Sequence, residues 1–251
     1  MQRQLSTLQR RWKAYTSGME QKIAERLSAL SVAHLADGCL RAGTAMRVVA
    51  NLPPIVAGQR TSGRTRPVRH YGSVDVFLEA LADPRAGDVL VVDNGDRDDE
   101  GCIGDLTALE VAQAGLAGII ISGRHRDTAI LRSIPIALFS RGACARGPVR
   151  LDVRAPETFV SARIGDEVVT AADWVAADDD GAIFIGDNHI AAVVAAAESI
   201  RDTELRQTGL MKAGTSLREQ LEVAAYLDAR AADPALDFRA HLRALNAAIE
   251  E

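Results

Sequence analysis

The stretch Asp88–Asp127, DVLVVDNGDRDDEGCIGDLTALEVAQAGLAGIIISGRHRD, decides how this chain is read. Its opening run from Asp88 to Asp93 is short and apolar between two carboxylates, the pattern of a buried central strand. An acidic loop, NGDRDDEGCIG, follows. The segment from Asp105 to Ala114 then carries helical periodicity and is closed by Gly115, a residue that readily takes the left-handed conformation ending a helix. Ala117 to Ser122 is a second buried strand. Strand, loop, helix and strand in this order predict parallel neighbours joined by a right-handed crossover. Ligands in open α/β sheets sit at the carboxyl ends of such strands. Asp93 ends one strand, Gly123–Asp127 follow the next, and Asp105 starts the helix between them, so connectivity predicts that all three converge on one rim. Two carboxylates, Asp105 and Asp127, and the guanidinium of Arg126 thus bracket one helix–strand unit. Such a set can bring a divalent metal and an anionic substrate together at one sheet edge.

Working outward, residues 2 to about 43 read as helices, with Met19–Leu30 apolar at helical spacing and a second helical start at Ser31–Gly38. Pro53 and Pro54 make 51–58 a loop or extended entry. Thr61–His70 alternates polar and apolar residues and is read as an edge-type strand; with Arg60 it gathers Arg64, Arg66, Arg69 and His70. That cluster reads as a solvated strand face or an inter-subunit contact rather than a phosphate or RNA site. Ser73–Leu81 reads as a helix with Val74, Phe77, Leu78 and Leu81 on one face, and a short helix at Thr128–Arg132 leads to a strand at Ile134–Phe139. Beyond Leu151 come short strands at 158–164, 167–170, 174–177 and 182–185, with turns at Gly165-Asp166 and Asp178–Gly181. Asn188–Leu210 is a long helix, and Thr215–Ala231 and Phe238–Glu250 are amphipathic helices separated by Pro234. The expected parts are an N-terminal helical segment (1–43), an α/β core (44–210) and a C-terminal helical extension (211–251).

Composition narrows the function class. The chain has 251 residues, 47% hydrophobic and 25% charged, enough to bury a core without staples. A net charge of −5 does not favour nucleic-acid binding. The N-terminal stretch lacks an apolar signal region and the longest apolar runs are too short to span a bilayer, so no membrane association and a cytoplasmic location are expected. Cys39, Cys102 and Cys144 are few, scattered and odd in number; they read as small buried hydrophobes in a reducing compartment, not as a disulfide framework or zinc site. The loop acids Asp96, Asp98 and Glu100 mimic the start of a calcium-binding loop, but its twelfth position is Thr107 where Glu is needed.

On spacing alone, Asp105 also serves as a helix cap and Arg126–Asp127 as a surface ion pair. A wider pattern changes that balance. The stretch from Gly87 to Pro148, with an Asp, twenty intervening residues and then Arg-Asp, resembles the RraA-like family, which includes the class II 4-hydroxy-4-methyl-2-oxoglutarate (HMG)/4-carboxy-4-hydroxy-2-oxoadipate (CHA) aldolases. DWVAADDDGAIFI at 173–185 and the Gly214-Thr-Ser-Leu217 tail are also similar to the family, and the resemblance extends over roughly residues 25 to 220.

The resemblance implies an α/β fold with a swivelling-domain-like mixed sheet sandwiched by helices, flanked by N- and C-terminal helical extensions. It also implies a homotrimer or homohexamer with sites at subunit interfaces. It implies a magnesium- or manganese-dependent lyase that cleaves a small 2-oxo acid, by retro-aldol cleavage of a 4-hydroxy-2-oxo acid or by decarboxylation of oxaloacetate, and releases pyruvate. Asp127 would then coordinate the metal, Asp105 would reach it through water, and Arg126 with the Gly104, Asp105, Leu106 and Thr107 backbone would hold the pyruvyl end. Glu204, with Glu198 nearby, loosely matches an acidic residue that the family lends to the metal waters of a neighbouring subunit. Where those aldolases carry a lysine near the substrate's far carboxylate, this chain has Arg146 and Arg150, and arginine is not a neutral exchange. His125, beside the Arg-Asp pair, is either an acid/base or a structural histidine. Lys13, Lys22 and Lys212 are the only lysines, which agrees with chemistry that needs no Schiff base. The second expectation is a non-catalytic regulator that binds an RNA-degradation endonuclease, as the family's name-giving members do. A methyltransferase lacks support, since no Gly-rich nucleotide loop follows the first strand.

Overall fold

Alternation along the strands divides the interior into three layers. The computed structural model describes residue 18 and residues 20–245. Strand β1 (Arg47–Val49) precedes β2 (Thr61–Arg69), β3 (Val89–Asp93), β5 (Gly118–Ile121) and β7 (Ala137–Phe139); β10 (Asp173–Asp178) and β11 (Gly181–Gly186) complete a seven-stranded sheet in the order β1-β11-β10-β2-β3-β5-β7. The pairs β2–β3, β3–β5 and β5–β7 are parallel, whereas β10–β2, β10–β11 and β1–β11 are antiparallel. In β3, Leu90 and Val92 face one side and Val89 and Val91 the other; in β10, Trp174 and Ala176 part from Val175 and Ala177 in the same way.

The sheet is curled, and its inner face is shared by the two halves. Val89, Val91, Ile120, Val175, Ala182 and Phe184 meet there beneath the hairpin of β8 (Ser161–Ile164) and β9 (Glu167–Thr170), which adds Ala162, Ile164 and Val169. Over the outer face of the parallel half lie α3 (Asp75–Ala80), α4 (Asp105–Gln113) and α5 (Thr128–Leu131), through Val76, Phe77, Ala108, Val111 and Leu131. Over the antiparallel half lie α1 (20–28), α2 (Val32–Arg41) and α6 (Ile190–Lys212), packed on Trp174, Ile183 and Ile185. Strands buried on both faces must be apolar throughout, which is why Val89–Val92 and Ile119–Ile121 carry no polar residue. The fold is therefore the mixed α/β sheet with terminal helices that the sequence led us to expect.

Several local readings change. The segment read as an edge strand is β2, at the middle of the sheet. Thr61–Arg64 pair with β10 on one side, while Thr65–Arg69 pair with β3 on the other. Past Arg64 the strand has lost its β10 neighbour, so Pro67, which has no N–H to donate, is tolerated there. The basic residues are tied down rather than solvated. Arg64 pairs with Glu20 and Asp187, and Arg66 bonds the Ala80 and Asp83 carbonyls and Asp88. The single helix expected at Thr215–Ala231 is two, α7 (Leu217–Gln220) and α8 (Val223–Ala232), because Glu222 between them is left-handed at φ 49°. A last helix, α9, spans Phe238–Ala244. Two strands hidden in loop-like sequence, β4 (Gly101–Ile103) and β6 (Arg124–His125), pair with each other. The readings over residues 2–17 and 246–250 lie outside the described residues.

Ile120 sits at the centre of the inner layer with no solvent exposure. Ile120→Ala is expected to lower the unfolding free energy by about 2–5 kcal/mol, measured by urea titration with an unchanged denaturant slope. A loss under about 1 kcal/mol would mean that the curled interior collapses around the missing atoms.

Candidate functional site

The site is assembled by the short parallel ladder between β4 and β6. Gly101 pairs with Arg124 and Ile103 with His125, and the Arg126 N–H continues the ladder to the Ile103 carbonyl at 2.9 Å. This sets Gly104, the residue that opens α4, directly against Arg126 and Asp127. A Cβ on Gly104 would overlap Asp127 Oδ2 and lie 3.1 Å from Arg126 Nε. Only glycine lets the two side chains approach the helix start so closely.

The residue that caps α4, Gly104, has no side chain to satisfy the first-turn amides. Asp105 Oδ1 accepts its neighbour's Leu106 N–H at 2.8 Å, while the remaining first-turn N–H groups have no intrahelical acceptor. An unsatisfied, positively polarised helix start therefore faces the site, the arrangement that favours a bound carboxylate. Arg126 Nε pairs with Asp127 Oδ2 at 3.3 Å, and its other end reaches toward Gly147, where a Cβ would lie 2.5 Å from Nη1. Both side chains stay open to solvent, at 46% and 36%. Among the described residues, Asp127 Oδ1 has no protein partner. The Leu106 side chain is 79% exposed.

The structure thus brings together Gly104, Asp105, Leu106, Thr107, Arg126 and Asp127. It does not bring Asp93 to this group. The Asp93 carboxylate instead accepts the Gly95 and Arg163 N–H groups at 2.9 and 3.1 Å, fixing the start of the loop. Glu204 lies on α6, across the molecule's other helical layer, where it meets His34 Nε2 at 2.9 Å; Glu198 pairs with Arg26. Arg150 forks onto the buried Glu100, with contacts of 2.9–3.2 Å, and also bonds Asn94 and Asp152, so it is committed within the chain. Arg146 lends its carbonyl to the Gly101 N–H at 2.6 Å and leaves its guanidinium exposed.

The acidic loop is held down by arginines. Asp96 pairs with Arg141, Asp98 with Arg124, Asp99 with Arg97, and Glu100 with Arg150. Among the described residues, no three or more His, Cys, Asp or Glu side chains are grouped so as to hold a metal ion. The cysteines are free, with Cys39 and Cys102 buried, and burial pushes the Cys39 thiol up to about 11. Sequence reasoning missed Gly101 and Gly147, whose lack of side chains makes room for Arg126. Nothing in a local pattern marks a glycine as a close approach to a residue 21 or more positions away.

His125 is no exposed acid/base. It is 4% exposed, with Nδ1 2.7 Å from Ser140 Oγ and Nε2 2.9 Å from Thr128 Oγ1. Burial, and then the charge of Arg132, hold its pKa below the ordinary value. His70 is equally buried; it stacks on Phe77 and bonds Asn94 at 2.8 Å, and burial lowers its pKa as well.

The mixed α/β fold sets a helix start against an Arg-Asp pair, and comparison with known proteins shows which family of α/β proteins this is. The family model for RraA-like proteins (Aldolase/RraA) matches residues 32–184, more than half of the chain, and the chain belongs to that family. An uncharacterized protein from Pseudomonas syringae pv. tomato has a similar structure, with a TM-score of 0.70 and 24% identity over 79% of this chain and 96% of that one. RraAS2 from Streptomyces coelicolor, described as an unusual member of the RNase ES inhibitor RraA family, gives 0.65 and 24% over 73% and 93%. The RNA-processing inhibitor RraA from Thermus thermophilis gives 0.50 and 25% over 56% and 85%.

The two buried histidines set a pH dependence of stability. Both have folded pKa values below the ordinary 6.5, so the unfolded state binds more protons as pH falls through that value. Their contribution is complete above about pH 6.5 and is lost on acidification below it. The melting temperature is expected to hold steady from about pH 8 to about pH 7 and to fall toward about pH 5, read by thermal denaturation. A melting temperature that rises on acidification would contradict neutral, desolvated imidazoles at both positions.

Proposed function

We propose that this protein is a divalent-metal-dependent lyase that cleaves a small 2-oxo acid and releases pyruvate. The reaction is retro-aldol cleavage of a 4-hydroxy-2-oxo acid, decarboxylation of oxaloacetate, or both. The observation that carries this reading is the packing of Arg126 and Asp127 against the uncapped start of α4 through Gly104. Family membership supports it, because the RraA-like family includes class II aldolases as well as RraA regulators.

The donor set fits magnesium or manganese. Mg²⁺ takes one or two carboxylates and keeps its remaining waters; Asp127 offers a partly exposed carboxylate with one oxygen free, and Asp105 stands at the adjoining helix start. When bound, the cation supplies Lewis-acid stabilisation of the negative charge that develops on the former keto oxygen. The chain's own groups do the rest. Arg126 grips the substrate carboxylate with its planar fork. Of the Gly104–Thr107 backbone, the N–H groups of Gly104, Asp105 and Thr107 donate to the same carboxylate, and that of Leu106 orients the Asp105 side chain. Asp105 would orient a water that takes the C4 hydroxyl proton in the aldol cleavage and returns a proton to the enolate carbon. Glu204 of a neighbouring copy completes the water shell in this reading, which makes the protein a homotrimer or homohexamer. The exposed apolar side chains Leu106, Ile130, Val149, Leu151 and Val153 support burial of this face between copies. No helix among the described residues is long and apolar enough to cross a membrane.

The test is pyruvate release from oxaloacetate and from 4-hydroxy-4-methyl-2-oxoglutarate with magnesium, manganese or EDTA, corrected for the metal-only background. EDTA-sensitive turnover is expected. The absence of both turnover and metal binding would favour the second reading, a regulator that binds an RNA-degradation endonuclease, which the likeness to RraAS2 and to the Thermus RraA supports. Asp127→Ala should abolish metal-dependent turnover. Arg126→Ala should lower kcat/KM about 100-fold, the worth of one charge-assisted grip of ~3 kcal/mol.

Gly104→Ala is the sharper probe. The added methyl meets side-chain ends, which can move, so the protein should fold with a nearly unchanged melting temperature. The displaced Asp127 and Arg126 should cost about 100-fold in turnover. Wild-type rates in this variant would show that the close approach has no part in catalysis.

A further inference from the structure

Arg126 and Asp127 are the middle two residues of a turn whose ends are joined by side chains. His125 Nε2 and Thr128 Oγ1 lie 2.9 Å apart, closing a ring around the Arg126–Asp127 dipeptide. The imidazole is itself anchored. Its Nδ1 is 2.7 Å from Ser140 Oγ, which accepts the Gly142 N–H at 3.2 Å. The His125 N–H donates to the Gly142 carbonyl at 3.0 Å, and the His125 carbonyl accepts the Cys144 N–H at 2.8 Å. Every polar atom of His125 except Nε2 is thus fixed to the end of β7 and the segment after it.

The turn needs such an anchor. Asp127 has φ 58° and ψ 35°, the left-handed region that a Cβ disfavours, and it is not a glycine. Its carbonyl is held by the Ile130 and Leu131 N–H groups, each at 3.0 Å, which fixes only the side toward α5. The His125–Thr128 bridge holds the other. A neutral imidazole has one donor and one acceptor nitrogen, and a hydroxyl can meet either. With both nitrogens engaged and the ring buried, His125 has no free position to offer a substrate.

We propose that His125 is a positioning residue: through the Thr128 hydroxyl it locks Asp127 in its left-handed conformation, and so aims the Asp127 carboxylate and the Arg126 guanidinium at the start of α4. The inference deepens the proposed lyase and rests on the reading that Asp127 holds the divalent cation. Residues that orient a metal ligand from behind govern affinity without touching the metal.

The experiment compares wild type, Thr128→Val and Thr128→Ser in the full chain. It reads the Mn²⁺ dissociation constant by calorimetry, the melting temperature, and the Asp127 backbone in crystals grown without metal. Thr128→Val keeps the shape of the side chain and removes the hydroxyl. It should weaken Mn²⁺ about tenfold with little change in melting temperature, and its Asp127 should leave the left-handed region or turn its carboxylate from Gly104. Thr128→Ser should restore both. A second pair guards against misfolding: His125→Gln, with an amide near the Nε2 position, should retain more affinity than His125→Leu. Wild-type Mn²⁺ affinity and an unmoved Asp127 in Thr128→Val would overturn the proposal, as would equal impairment in Thr128→Val and Thr128→Ser. Wild-type protein that binds no Mn²⁺ would sink the metal reading of Asp127; the bridge is then judged by the Asp127 backbone alone, where an unmoved φ in Thr128→Val refutes it.

Discussion

The parallel backbone ladder between β4 and β6 is the contact on which the site depends. It is only a few residues long, yet it fixes which residue of the β3–α4 connection faces Arg126 and Asp127. A slip of one residue would carry Gly104 away from the pair. The burial of Cys102, Ile103 and His125 opposes that slip. The ladder therefore gains its register from the core beneath it, and the site gains its geometry from the ladder.

Charge does structural work around that ladder. Glu100 is 3% exposed and would be costly to bury alone; Arg150 answers it with a forked hydrogen-bonded pair that reaches on to Asn94 and Asp152. Asp96, Asp98 and Asp99 are held by Arg141, Arg124 and Arg97 at the surface, where single pairs are individually weak. Together they constrain a loop that has no regular hydrogen bonding until Gly101. The same logic operates in β2, where Arg64 and Arg66 cross a central strand and find partners on the helices and loops above it. Arginine suits this role because its fork satisfies several acceptors at once.

Much of the architecture was legible because it follows from periodicity. The apolar runs at Val89–Val92 and Ile119–Ile121, the helix at Asp105–Gln113 and the long helix from Ile190 need only local pattern to be recognised, since burial on a given face demands apolar residues at a fixed spacing. The hairpins around Gly165 and Gly181 were equally plain, because both glycines take positive φ there. β2 misled because its alternation of arginines and small residues is what an exposed strand shows; only its pairing partners reveal it as central. β4 and β6 are too short to carry a period, and Glu222 gives no local sign that it breaks a helix.

For the site the division is similar. The sequence by itself determined which residues are candidates for the chemistry, since Asp105, Arg126 and Asp127 stand at strand and helix ends, and the same reasoning wrongly added Asp93 to them. Its only lysines, Lys13, Lys22 and Lys212, lie outside the core segments, which agrees with the expectation of chemistry without a Schiff base. The tertiary structure alone decided how those groups meet: that Gly104 lies against Asp127, that Arg150 is spent on Glu100, that Asp93 serves its own loop, and that His125 faces inward. Each of these is a contact between residues distant in sequence, or a choice of face at the end of a strand two residues long. Such choices are settled by burial and hydrogen-bond satisfaction in three dimensions, and a one-dimensional pattern does not record them.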